Sequence, residues 1–349
     1  MIDLDERIAR ILQEHADGPV DTDRLVSVAV NGGRARRRRR RTLGTGLGLV
    51  ALFGLLLTVI GAPRDVRTPD ATATAGVLVP PPARGAAAGQ RPELVGTDPA
   101  TLHFGIDRSR ARYLGWEVSP GLEGARLDVG GGRAVTVELA RSSAVLRQYG
   151  ITGLPGGVTT LAAESAFTGA TLRAPAERGS TPVWVRHWRP GPGLYARATV
   201  TAETGAELDV AARALRLDET RHCAAPVRLT TLPPGARLAG CTVDAPAFPE
   251  ALTVRLAVAG SGDRRMEISF QYARSIAEVR TQGNRMVGDR AAQLDRRDGA
   301  AQLELFGFPK AHLVAAFGWP YQGFTEADAA TVLGGARVAD DLTRPERWN

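Results

Sequence analysis

Read from the N-terminus, the spacing of apolar positions passes from helical, to unbroken, to absent, and then to alternating. In residues 3–15, Leu4, Ile8, Ile11 and Leu12 recur at helical spacing, with Asp3, Asp5 and Glu6 in the first turn, which predicts a short amphipathic helix. A second helix is expected after Pro19, with Asp21 as cap, Leu25, Val26 and Val28 as apolar set and Gly32-Gly33 as its end. Two such helices bury no core, so the face formed by Leu4, Ile8, Ile11 and Leu12 is a candidate surface for a cytosolic protein partner. Thr42 to Ala62 then runs without a charge. A helix needs about 20 apolar residues to cross a bilayer, so this stretch is expected to span one. Arg34 and Arg36 to Arg41 precede it, whereas the far flank mixes both signs, which predicts a cytoplasmic N-terminus and an exterior remainder. The length of the apolar run, the long leading segment and Pro63 directly after Ala62 favour an uncleaved signal-anchor over a signal peptide. Gly44 and Gly48 form a GxxxG pair, a candidate homodimer contact.

From Pro63 to about Ala100 the chain is rich in Pro, Ala, Thr and Gly with no apolar period, and reads as a linker. The rest carries an internal repeat: 111–119 matches 236–244, 137–150 matches 268–283, 168–185 matches 287–305, and 205–215 matches 323–333. Alternating runs at Arg133–Leu139, Val183–Trp188 and Leu194–Val200 predict half-buried antiparallel strands. Each repeat ends in a predicted helix, one with Leu208, Ala211, Ala212 and Leu215 as its stripe, the other with Ala329, Ala330 and Leu333 behind a Thr325/Asp328 cap. The expected fold class is α+β, with two similar units, each an antiparallel sheet with a C-terminal helix packed on it. The division is 1–41 cytosolic, 42–62 span, 63–100 linker, 101–222 first exterior unit and 223–349 second.

Composition changes this picture little. Lys310 is the only lysine among 44 basic residues, as codon bias in a high-GC genome would produce, and the net charge is +7. Ten arginines against seven acidic residues in 1–41 leave only a small excess outside, so no nucleic-acid partner is expected. Cys223 and Cys241 both fall in the exterior part, where a disulfide is the first reading. His222 beside Cys223 leaves a zinc set incomplete, so neither metal nor cofactor is expected. No HExxH, P-loop, G-x-S-x-G or SxxK motif is present, and the five histidines are scattered. The Gly-rich stretch before Arg133 lies between two predicted strands and reads as a hairpin turn rather than a phosphate loop. Two aromatic loops, with Trp188 and Tyr195 in one and Trp319 and Tyr321 in the other, are candidate stacking platforms for a sugar or peptide, or else core cover.

A short helical inside segment, an arginine run, one span, a Pro/Ala-rich linker and an exterior α+β part together resemble the single-pass envelope proteins of high-GC Gram-positive bacteria, including membrane-bound anti-sigma factors. The zinc-binding anti-sigma segment carries a histidine and paired cysteines; residues 1–41 contain no cysteine, so no functional residue is carried over. The expected function is a non-enzymatic exterior module that binds or senses a cell-wall or envelope ligand, with signalling through 1–41. The alternatives are an envelope scaffold and, less favoured, an envelope hydrolase.

Overall fold

The computed structural model describes residues 77–130, 132–148, 167–174, 181–276, 281–297 and 299–348, all within one compact unit, Thr72–Asn349. The inside helix with Leu4, Ile8, Ile11 and Leu12, the 42–62 span and the Gly44/Gly48 pair lie outside the described residues. Among the described residues, no helix is long and apolar enough to cross a membrane.

The elements are β1 (Thr101–Leu102), β2 (Gly105–Ile106), β3 (Arg112–Ser119), β4 (Leu122–Asp128), β5 (Ala134–Ala140), α1 (Ser143–Gln148), β6 (Thr171–Arg173), β7 (Val183–Trp188), β8 (Tyr195–Thr201) and α2 (Ala206–Ala214). There follow β9 (Leu215–Arg216), β10 (Arg221–His222), β11 (Val227–Leu229), β12 (Arg237–Asp244), β13 (Ala251–Ala259), β14 (Arg265–Ala273), β15 (Arg285–Val287), β16 (Arg290–Arg297), β17 (Ala300–Leu305), β18 (Ala311–Ala316), α3 (Glu326–Gly334) and β19 (Ala336–Val338).

The expectation of two helix-packed sheet units is overturned. The described residues are mostly β, and 13 strands form one antiparallel sheet in the order β15-β16-β17-β18-β14-β13-β12-β3-β4-β5-β8-β7-β6, with short helices against it. The join is β3 against β12, paired from Cys241↔Val118 to Asp244↔Gly115. A first strand left unpaired would present a row of free N–H and C=O groups, and pairing the two first strands removes both edges. Glycines permit the approach: a Cβ on Gly115 would lie 2.3 Å from the Val243 carbonyl oxygen, and one on Gly240 3.1 Å from that of Val118. Outward from this seam the strand order is alike on both sides, β3-β4-β5-β8-β7-β6 and β12-β13-β14-β18-β17-β16-β15.

One face of the sheet carries the core. Trp116, Val118, Leu127, Val137, Val254, Ile268, Phe270 and Leu313 point to it, covered by Leu208, Ala211 and Ala214 of α2 and by Ala329, Val332 and Leu333 of α3. α3 begins with the predicted capping box, Thr325 accepting from the Asp328 N–H while Asp328 accepts from the Thr325 N–H.

The second half of the expected linker is part of this core. Leu78, Ala88 and Val95 are buried, the Ala88 N–H donates to His103 O at 2.7 Å, and Gly89 N–H to Leu217 O at 2.8 Å. Glu123, itself fully buried, accepts from the N–H groups of Gly96 (2.8 Å) and His103 (2.6 Å) and lies 2.6 Å from the His103 ring. Small residues without an apolar period slot into a groove as readily as they form a tether, so composition alone does not separate the two.

Candidate functional site

Around the seam the opposite face of the sheet is polar, because strand residues alternate in direction and many alternates to the core positions there are charged or hydroxylated. Toward β6 the same face carries the small apolar clusters of Leu122, Ala140, Leu146 and Phe167 and of Ala174, Val183 and Val185. Register places one row across seven strands: Ser269, Arg255, Thr242, Glu117, Gly124, Glu138 and Arg197, with His187 beyond. The next row contains Asp244, Gly115, Arg126, Thr136 and Thr199. These two rows line a cleft of about 430 Å³ at the seam, with Glu117, Arg126, Thr136, Thr199, Asp244 and Arg255 in its walls.

Glycine opens this cleft. A Cβ on Gly124 would sit 2.9 Å from both Cγ and Oε1 of Glu117, so the bare position is what lets Glu117 lie across β4. Beside it, Arg197 donates through Nε and Nη2 to the two Glu138 oxygens at 2.5 and 2.8 Å, and through Nη1 to the Leu146 carbonyl of α1 at 2.8 Å. Arg126 Nη1 donates to Asp244 Oδ1 at 2.7 Å across the seam. Glu117 and Arg255 are different: neither makes a hydrogen bond or ion pair with another described residue. Burial, and secondly the Glu138 carboxylate, hold the Glu117 carboxyl above its usual range, against the opposing pull of Arg255 and Arg197. His187 at the end of the row is buried, with neither ring nitrogen hydrogen-bonded, and burial followed by the Arg197 charge lowers its pKa to about 4.

The aromatic loops do not assemble into one site. Trp188 and Tyr195 project from opposite faces of the sheet, Trp188 against the main core and Tyr195 against Phe167 with Arg189 5.0 Å above its ring. Trp319 is 66% exposed, and the Tyr321 hydroxyl donates to Glu267 Oε2 at 2.9 Å. β18, which precedes Trp319, stands seven strand positions from β8. Cys223 and Cys241 form the expected disulfide, both buried, tying the segment after α2 to β12. No group of three or more metal-ligating side chains occurs among the described residues. Sequence reasoning missed Glu117, Gly124, Thr136, Thr199, Thr242 and Arg255, since polar alternates in a strand read first as a solvated face. The available signal was Gly115, Gly124 and Gly240 in strands otherwise rich in large residues.

A further groove of about 690 Å³ lies beside α3. Its floor, Phe270, Leu305 and Leu333, is continuous with the main core.

No family model and no curated protein matches this sequence. Among solved structures it is similar to one described as the crystal structure of MucB in complex with MucA(peri), at 13% identity and a TM-score of 0.23, over 68% of this chain and 92% of that one. The likeness is too slight to bear on function.

Proposed function

We propose that this chain is a single-pass membrane protein whose exterior part is a non-enzymatic binding or sensing module, with its ligand site in the cleft at the β3/β12 seam. The single observation that carries the reading is the pairing state of the cleft: among the described residues Glu117 and Arg255 make no hydrogen bond or ion pair and attract one another only at a distance, beside two ion pairs that are complete. Arg255 is exposed, whereas Glu117 is half-buried, and a half-buried carboxylate that accepts no hydrogen bond is costly in a fold and is put to use when a ligand supplies the partner. The apolar run 42–62 supports anchorage with the N-terminus inside, and the helical spacing of Leu4, Ile8, Ile11 and Leu12 supports a cytosolic partner to which occupancy is relayed.

Equilibrium dialysis of the full-length protein in detergent against a small-molecule envelope extract, read by mass spectrometry, tests this. The native protein should retain one or a few unchanged molecules that a cleft-filling Thr136→Trp variant does not. Equal retention by both proteins, or conversion of the retained molecule into a product, would contradict it.

A further inference from the structure

We infer that the ligand of this cleft is a small zwitterion, of the class of free amino acids and short unblocked peptides, with its ammonium group against Glu117 and its carboxylate against Arg255. This deepens the preceding reading and rests on it. Glu117 and Arg255 stand on either side of Thr242 in one row, two strand spacings apart, which is about 10 Å between backbones. Both side chains line the same cleft, so a ligand whose opposite charges are separated by a few bonds reaches both.

Charge bookkeeping then narrows the class. Among the described cleft residues, Arg126 is committed to Asp244, and the neighbouring Glu138 has both oxygens committed to Arg197. One carboxylate and one guanidinium remain, Glu117 and Arg255. A dication would meet Arg126 and Arg255, and a dianion would meet Glu117 and Asp244, so either one carries a like-charge penalty that a zwitterion escapes. The hydroxyls of Thr136, Thr199 and Thr242 form no hydrogen bond with another described residue and each both donates and accepts, as the peptide or hydroxyl groups between two charged ends require. Gly124 leaves the space over β4 that the Glu117 side chain fills, which sets its carboxylate in the cleft wall where an ammonium would meet it. The half-buried state of Glu117 adds a thermodynamic motive: a bound ammonium replaces the water that burial has taken from its carboxylate and opposes the burial that raises its pKa.

The test is isothermal titration of the full-length protein in detergent with four probes: alanylalanine, its N-acetyl form, its C-terminal amide, and glucose. Alanylalanine should bind, with each blocked form at least tenfold weaker. Glu117→Gln should erase the advantage of the free amine, and Arg255→Gln that of the free carboxylate, with melting temperatures confirming that both variants fold. Equal binding of free and blocked dipeptides overturns the zwitterion assignment, as does glucose binding better than either, while leaving the cleft a ligand site. Failure of all four probes to bind, in a protein whose dialysis retains some other molecule, overturns the zwitterion assignment alone; failure of dialysis as well overturns both.

Discussion

The two sides of the seam share a strand order and bury different chemistry. Laid over one another by the matched stretches 111–119 and 236–244, Glu117 corresponds to Thr242 and Trp116 to Cys241; Glu117 faces its own counterpart across the seam, while Trp116 faces Val243 and Cys241 faces Val118. The same correspondence sets Gly124 against Arg255, Glu138 against Ser269 and Arg197 against Val314. The β3–β8 side thus seals an ion pair under α1, while the β12–β18 side keeps Ser269 and Val314 half-buried on an open face with Arg265 and Gln271 exposed. Trp116 and Cys241 meanwhile hold neighbouring residues of one segment, Trp116 through its Nε1–H to the Ala224 carbonyl at 3.2 Å and Cys241 through its bond to Cys223. A repeated strand order fixes where side chains stand and leaves their chemistry free, and the cleft lies where that chemistry is most unequal.

The largest expected effect comes from breaking the charged side. Arg197→Ala strands Glu138 without a partner in a buried site and should lower the unfolding free energy in urea by about 3–5 kcal/mol. Transplanting the other side's residues, Glu138→Ser with Arg197→Val, should recover much of that loss, because removing both charges is far less costly than orphaning one. A single-variant loss under about 1 kcal/mol would mean that the two sides do not differ energetically in the way their contacts imply.

Next comes the shared staple. Replacing Cys223 and Cys241 by serine together opens a loop of 18 residues' separation and should cost about 3 kcal/mol, read as a fall in melting temperature that reducing agent reproduces in the native protein. A comparable effect belongs to His187. Its pKa in the fold, about 4, lies below its ordinary 6.5, so the unfolded chain takes up the proton first as pH falls. Stability should therefore drop by up to about 3 kcal/mol between pH 6.5 and 4, and His187→Leu should flatten that slope in urea titrations at stepped pH.

The smallest effect is at the seam itself. Because the folded state holds the Glu117 proton more tightly than the unfolded chain does, its contribution to stability is present at low pH and is lost as pH rises through the raised value. Glu117→Gln should remove that dependence and leave the fold as stable as the native protein or slightly more so at neutral pH. A clear loss of stability in this variant would make Glu117 a structural residue like Glu138.

Much of the local structure was legible in the sequence. The alternation at 133–139 and 183–188 appears as β5 and β7, the stripe through Leu208 as α2, and the Thr325/Asp328 pattern as a formed capping box. The disulfide followed from two cysteines in an expected exterior segment. What was not legible is long-range pairing. Nothing local tells β3 and β12 to join, because Gly115 and Gly240 read as ordinary breaks until the Val243 and Val118 carbonyls are seen against them. Packing of Leu78, Ala88 and Val95 was hidden in the same way, since the segment is held by partners distant in sequence, among them Glu123, which accepts from the Gly96 N–H, and Leu217, whose carbonyl accepts from the Gly89 N–H. The cleft was hidden for the first of these reasons: Glu117 and Arg255 are 138 positions apart in sequence and line one cleft only because one sheet contains both.

The most direct test of the seam as binding site is amide hydrogen exchange on the full-length protein, with and without the molecule retained in dialysis. Slowed exchange should concentrate in Gly115–Arg126 of β3 and β4 and in Gly240–Arg255 of β12 and β13, with little change in β15 and β16. Protection centred on β15, β16 and α3, with the seam strands unaffected, would contradict the account and move the site to the groove beside α3.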